Sequence, residues 1–317
     1  MKQKLVAASL LFITAIIWGS AFVAQVLSGD HLEALTFNGT RFVLGAISLI
    51  PVCAIFEKET DLSAEEKKTR HKNTFIGALI AGTILFIASG MQQYGTITLR
   101  DPGKSAFITG LYTVLTPVLA FLLFRRKTTW NTWLGVVLAS VGLYLLCLKP
   151  GDEVMFGIGE IVLFIGAFFW AGHILTVDRF VDKVSVLRFS CWQFFVCGFE
   201  NLILALFFEQ PTVEGLKGAT WSILYCGILS VGVAYTCQIL GQKKSDPTFA
   251  AIVFSSESVF AAIGGVLWNL ITPERLHVDQ EISPLGYVGC AIIFIGIVFS
   301  QLDFTKLSKR NTKPQID

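Results

Sequence analysis

Ten stretches of this chain are each long and apolar enough to cross a lipid bilayer, which removes most of the folds open to 317 residues. A hydrocarbon layer about 30 Å thick takes about 20 helical residues at 1.5 Å each. The stretches run over 5–27, 35–56, 75–97, 103–124, 130–148, 157–178, 185–208, 219–241, 248–270 and 285–302. Inside lipid a backbone must satisfy its own polar groups, so helices are expected throughout. The fold class expected is an all-α membrane protein with ten transmembrane helices. A chain 53% hydrophobic and 15% charged fits nothing soluble. The first stretch, behind Lys2 and Lys4, is about twice the apolar length of a secretory signal and reads as an uncleaved first helix.

The chain is also a duplication. Thr14-Ala-Ile-Ile-Trp18-Gly-Ser-Ala-Phe22 returns as Gly166-Ala-Phe-Phe-Trp170-Ala-Gly-His-Ile174, with Trp18 and Trp170 separated by 152 residues. The same offset lays Leu35 on Leu187, Phe37 on Phe189 and Arg41 on Gln193. Further on, Gln93 and Asp101-Pro102 match Gln238 and Asp246-Pro247, and the glycine pair Gly135 and Gly142 matches Gly289 and Gly296. The halves are residues 1–148 and 157–305, with a connector at 149–156 and a tail at 306–317.

Charge placement orients the chain. With the first residue inside, 18 of the 25 basic residues fall on the cytoplasmic side and five outside, so both termini are expected in the cytoplasm of a multi-pass cell-membrane protein. Five spans per half is odd, so the second half enters inverted, about a pseudo-two-fold axis in the membrane plane. Two such halves have two equivalent arrangements, one open to each side, which is the geometry of alternating access.

Polar residues within the spans mark the candidate site. Thr14, Trp18 and Gln25 share one face of the first helix. Arg41, deep in the second, must face protein or water; it reads as structural, or as a partner for a substrate anion. The fourth carries a stripe of Ser105, Thr109, Tyr112 and Thr116, followed by a bend expected at Pro117, while Pro51 should bend the second. The second half contributes Trp170, His173, Tyr235 and Gln238, and the most polar span centre is Ser255-Ser256-Glu257-Ser258. Substrate-binding candidates are Trp18, Gln93, Tyr112, Thr116, Trp170, His173, Tyr235 and Gln238, with Glu257 as proton carrier. Gln93 and Gln238 should guard opposite mouths of a cavity whose floor holds Trp18, Tyr112, Trp170 and Glu257. Glu200 reads as a buried, protonated or paired carboxylate. The glycines of the fifth and tenth spans suggest scaffold, or a homodimer interface.

No cofactor or metal is expected. The cysteines form no CxxC pair, and HExxH, GxSxG and P-loop patterns are missing, which argues against an intramembrane enzyme and against ATP-driven chemistry. The expected partners are a small-molecule substrate and the bilayer, with no nucleic acid.

Taken together, Ile17-Trp18-Gly19, Arg41-Phe42, Leu115-Thr116-Pro117-Val118, the glycine pairs and Glu281-Ile-Ser-Pro284 resemble the drug/metabolite transporter superfamily, in its branch of two EamA-type repeats. The resemblance implies ATP-independent transport of small metabolites, commonly export of amino acids or related compounds. A multidrug exporter or a flippase for lipid-linked headgroups would share the fold. The chain departs from the pattern at Arg125-Arg126-Lys127, where a Glu is usual, and at Glu257-Ser258, where Glu-Pro is usual; the latter implies a lost kink.

Overall fold

The computed structural model describes residues 2–57, 62–147, 157–272, 278 and 280–301; the connector at 149–156 and the tail at 306–317 lie outside them. The first half supplies α1 (Lys2–Ser28), α2 (Ala34–Phe56), α3 (Ala64–Leu99), α4 (Pro102–Gly110), α5 (Tyr112–Phe124) and α6 (Trp130–Cys147). The second supplies α7 (Ile158–Phe180), α8 (Val186–Phe208), α9 (Val213–Gly218), α10 (Thr220–Leu224), a π-helical stretch Tyr225–Ala234, α11 (Tyr235–Gln242), α12 (Pro247–Phe254), α13 (Glu257–Ile271) and α14 (Pro284–Gln301). No strand occurs among the described residues. Counting α4 with α5, α10 with α11, and α12 with α13 as single rods, eight rods among the described residues are long and apolar enough to cross a membrane. α6 and α14, 18 residues each, reach about 27 Å and are apolar but shorter.

The inverted symmetry is visible in which side chains meet. In an inverted repeat, only residues near the axis touch their own equivalents. Trp18 meets Trp170 with ring centroids 6.1 Å apart, and Phe42 meets Phe194 at 6.2 Å, both pairs at the 152-residue offset. At the 145-residue offset set by Asp101 and Asp246, Tyr112 corresponds to Glu257, and the Tyr112 hydroxyl donates to Glu257 Oε1 at 2.9 Å.

A second symmetric device ties α2 to α8. Glu209, just past α8, accepts hydrogen bonds from the Leu35 and Thr36 amides at the start of α2, both at 2.7 Å. Its equivalent, Glu57, just past α2, accepts from the Leu187 and Arg188 amides at the start of α8, at 2.7 and 3.2 Å. Each helix therefore ends in the carboxylate that caps the other, which fixes the pair antiparallel and satisfies four of the N–H groups every helix start leaves without partners. Replacing Glu209 with alanine is expected to lower stability by about 1 kcal/mol, the usual cost of losing an N-terminal cap, with a matching loss for Glu57→Ala; thermal melts of the purified variants check both.

Glycine permits close helix approach at many places, among them the start of α13 and the α6–α14 pair. A Cβ on Gly19 would stand 2.5 Å from the Glu257 carbonyl, so its absence lets α1 lie against the start of α13. On the far side, Gly142 faces the carbonyl of Gly289 and Gly135 that of Gly296, which packs α6 and α14 antiparallel against each other. The glycine faces read as scaffold or as a homodimer interface pack against each other here within one chain.

Two long rods are interrupted in mid-length at equivalent places. α4 passes to α5 at Leu111 and α12 to α13 at Ser255-Ser256, residues 111 and 256 again being 145 apart. The break in the fourth span comes before Pro117, which stands inside α5, and Pro51 likewise stays within a continuous α2. Nor is the kink in the ninth span lost for want of proline. Ser255 and Ser256 turn their hydroxyls back onto the Ile252 and Val253 carbonyls, at 2.7 Å each, and these local bonds compete with the helical ladder.

Candidate functional site

The side chains on the axis enclose a central cavity lined by Trp18, Phe22 and Gln25 of α1, Arg41 of α2, Gln92 of α3 and Thr109 and Tyr112 at the α4–α5 break. Trp170 of α7, Ser230 of the π-helical stretch, Tyr235 of α11 and Glu257 at the head of α13 complete the wall. Both halves contribute, and π-helical turns and helix breaks, which free backbone geometry locally, gather at the site. The cavity has a volume of about 20 Å3, room for about one water.

One end is aromatic. Tyr235 packs edge-on to Trp18 at 4.7 Å and stacks on Trp170 at 6.3 Å, and Phe254 closes against Trp18 at 5.2 Å. The Trp18 indole donates to the Ser230 carbonyl at 3.4 Å. The other end is polar, where Gln92 Nε2 donates to Gln25 Oε1 at 3.0 Å.

Arg41 is 3% exposed and lies beside two aromatic faces, 5.3 Å from the Phe37 ring centre and 5.0 Å from that of Phe42. Its Nε donates to Asn38 Oδ1 at 2.8 Å, and Asn38 Nδ2 donates in turn to the Ser89 carbonyl at 2.9 Å. No carboxylate pairs with it among the described residues, and Glu257 is held by Tyr112 instead.

Of the residues expected to bind substrate, Trp18, Tyr112, Trp170 and Tyr235 line the cavity, together with Glu257, all buried inside protein and none facing the membrane. The other four stand behind the wall. Gln93 is fully buried and clamps α3 to α1, donating to the Gln25 carbonyl and to Ser28 Oγ, both at 3.0 Å. Gln238 donates to Gln242 Oε1 at 3.0 Å, and Gln242 ties α11 to the Ile174 carbonyl of α7 at 3.1 Å. In this arrangement Gln93 is an interhelical strut and Gln238 holds the glutamine that makes one, and neither lines the cavity. Thr116 bonds back to the Tyr112 carbonyl at 2.7 Å, and His173 Nε2 is shared with Gln193 Oε1 at 3.1 Å. Glu200, expected to be buried, is partly exposed on α8 and accepts from Thr83 at 2.8 Å.

Phe22, Gln92 and Ser230 line the cavity without having been singled out. Phe22 follows Trp18 by four residues on the face already marked by Trp18 and Gln25, which was a usable signal. No cluster of His, Cys, Asp or Glu that could hold a metal occurs among the described residues.

Relatives and folds point the same way. An "Uncharacterized transporter" of Archaeoglobus fulgidus is 24% identical over 295 residues, covering 92% of this chain and 84% of that protein. "Uncharacterized transporter YoaV" of Bacillus subtilis is 22% identical over 303 residues, covering 92% and 95%. A solved crystal structure superposes with a TM-score of 0.70 over 96% of this chain and 99% of its own, at 15% identity, and shows the shared fold. The model of the EamA-like transporter family matches twice, over residues 5–148 and again over 157–302, and with both halves of the molecule accounted for in this way, the chain belongs to the EamA-like transporter family.

Proposed function

We propose that this transporter is a secondary exporter of a small metabolite that works by alternating access and is driven by protons. In this reading all ten rods cross the cell membrane and both ends of the chain lie in the cytoplasm. The observation that carries it is the position of the cavity, which lies on the pseudo-two-fold axis, is walled by equivalent residues of inverted halves and is buried from lipid. Rocking one half against the other would open such a cavity to either side in turn. In this reading the cavity, too small here for a metabolite, widens as the halves rock, and the breaks at Leu111 and Ser255-Ser256 are the places where rods bend.

Glu257 is the proton carrier in this scheme. Its carboxylate is 3% exposed and faces Tyr112, Tyr235 and Arg41 across the cavity, with His173 behind Trp170. A proton taken up there from one side and released to the other, in exchange for substrate, balances charge without ATP. Proteoliposomes holding a pH-sensitive dye test the function. Substrate-dependent proton movement is expected with the wild type and absent from empty vesicles. Proton movement that no metabolite in a broad amino acid, amine and organic acid panel triggers would sink the coupling, and lack of flux for any labelled compound would sink transport itself.

A further inference from the structure

We infer that Arg41 is the cavity's anion-recognition residue and that the transported compound carries a carboxylate next to a flat apolar group. The inference deepens the transport reading above by naming the chemistry of its substrate.

Buried donors in the cavity wall lack hydrogen-bond partners. Some of the acceptors in the cavity are engaged, with Glu257 Oε1 taking the Tyr112 hydroxyl, Gln25 Oε1 the Gln92 amide and the Ser230 carbonyl the Trp18 indole. Three donors are not used up. Trp170 Nε1 and Thr109 Oγ1 are buried without a hydrogen-bond partner among the described residues. The Arg41 guanidinium donates at Nε to Asn38 and is hydrogen-bonded to the Cys226 thiol, and among the described residues no carboxylate pairs with it. A buried charge without a counter-charge is costly, and the two phenylalanine faces offset only part of that cost. A ligand that brings a negative acceptor relieves that cost and satisfies the spare donors together.

Geometry selects a carboxylate. Anchoring Nε leaves the guanidinium plane fixed, and a fixed planar fork matches a planar carboxylate through two parallel bonds. Asn38, itself held by the Ser89 carbonyl, is the positioning residue for that fork. The remaining wall, with Phe22, Trp18, Trp170 and Tyr235, offers ring faces and edges to a flat apolar portion.

Intrinsic tryptophan fluorescence and thermal shift of purified protein in detergent, with 3-phenylpropionate as probe, test the inference without relying on flux. The probe is compared with its uncharged amide, with phenethylamine and with sodium chloride. The acid is expected to bind at least about tenfold more tightly than the amide or the amine, and Arg41→Gln should remove that preference while Arg41→Lys, which keeps the charge but not the fork, retains part of it. Equal binding of acid and amide to the unaltered protein would overturn the inference whether or not the variants fold. So would binding of the amine alone, failure of the acid to bind, or a chloride effect that accounts for all the stabilisation. Arg41-dependent binding of the acid with no flux in vesicles would leave the anion site standing and remove the transport reading.

Discussion

Vesicles containing Glu257→Gln are expected to show no accumulation of substrate in response to an imposed pH gradient, at the level of empty vesicles, while exchange of substrate down its own gradient continues. The amide keeps the size of the carboxyl and still accepts the Tyr112 hydroxyl through its carbonyl oxygen, so the 2.9 Å contact across the axis survives and only the titrating group is removed. A Tyr112→Phe variant separates the two roles, because it breaks the bond and leaves the proton site. Coupling should persist there with altered rate. Gradient-driven accumulation by Glu257→Gln at the wild-type level would assign Glu257 to architecture instead.

The second large effect is on stability. A Cβ on Gly142 would lie 2.6 Å from the Gly289 carbonyl oxygen and 2.8 Å from a side-chain carbon of Ile293, so Gly142→Ala must force α6 and α14 apart. Backbone cannot yield as a flexible side chain would, and overpacking of this kind costs about 1–3 kcal/mol. The same substitution at Gly90, where an added Cβ meets nothing within 4 Å, should instead raise stability by about 0.5–1 kcal/mol through helix propensity. Melting curves of the two variants side by side give opposite signs if the glycine contact holds α6 to α14. Equal small shifts would show that the two helices do not depend on it.

Much of this architecture was legible in the residues alone, because hydropathy and spacing are local quantities. The duplicated Trp18 and Trp170 segments, the Asp-Pro pairs and the paired glycines mark equivalent places; in the structure the tryptophans meet, the glycines pack, and each aspartate caps the helix that its proline starts. The cavity's aromatic end and Glu257 followed from the same polar faces. What the residues did not reveal was which of two adjacent glutamines faces inward. Gln92 and Gln93 differ by about 100° on α3, and the packing of α1 decides between them. The helix break at Ser255-Ser256 was hidden for another reason. Serines can continue a helix or interrupt it, and only the close approach of α1 at Gly19 and the opposing break at Leu111 show which they do here. The Tyr112–Glu257 contact was missed because matching by residue identity overlooks positions where a repeat has changed its chemistry.

That change has a consequence for how the two halves can be combined. Were the molecule assembled from two identical copies of its later half, a pair of carboxyl groups would face each other at the centre. Two copies of its earlier half would bring together two phenols and no acid. Joining unlike copies in one polypeptide is what allows a single acid to stand beside a single hydroxyl there, so separated and re-mixed halves should regain a working centre only as the unlike pair.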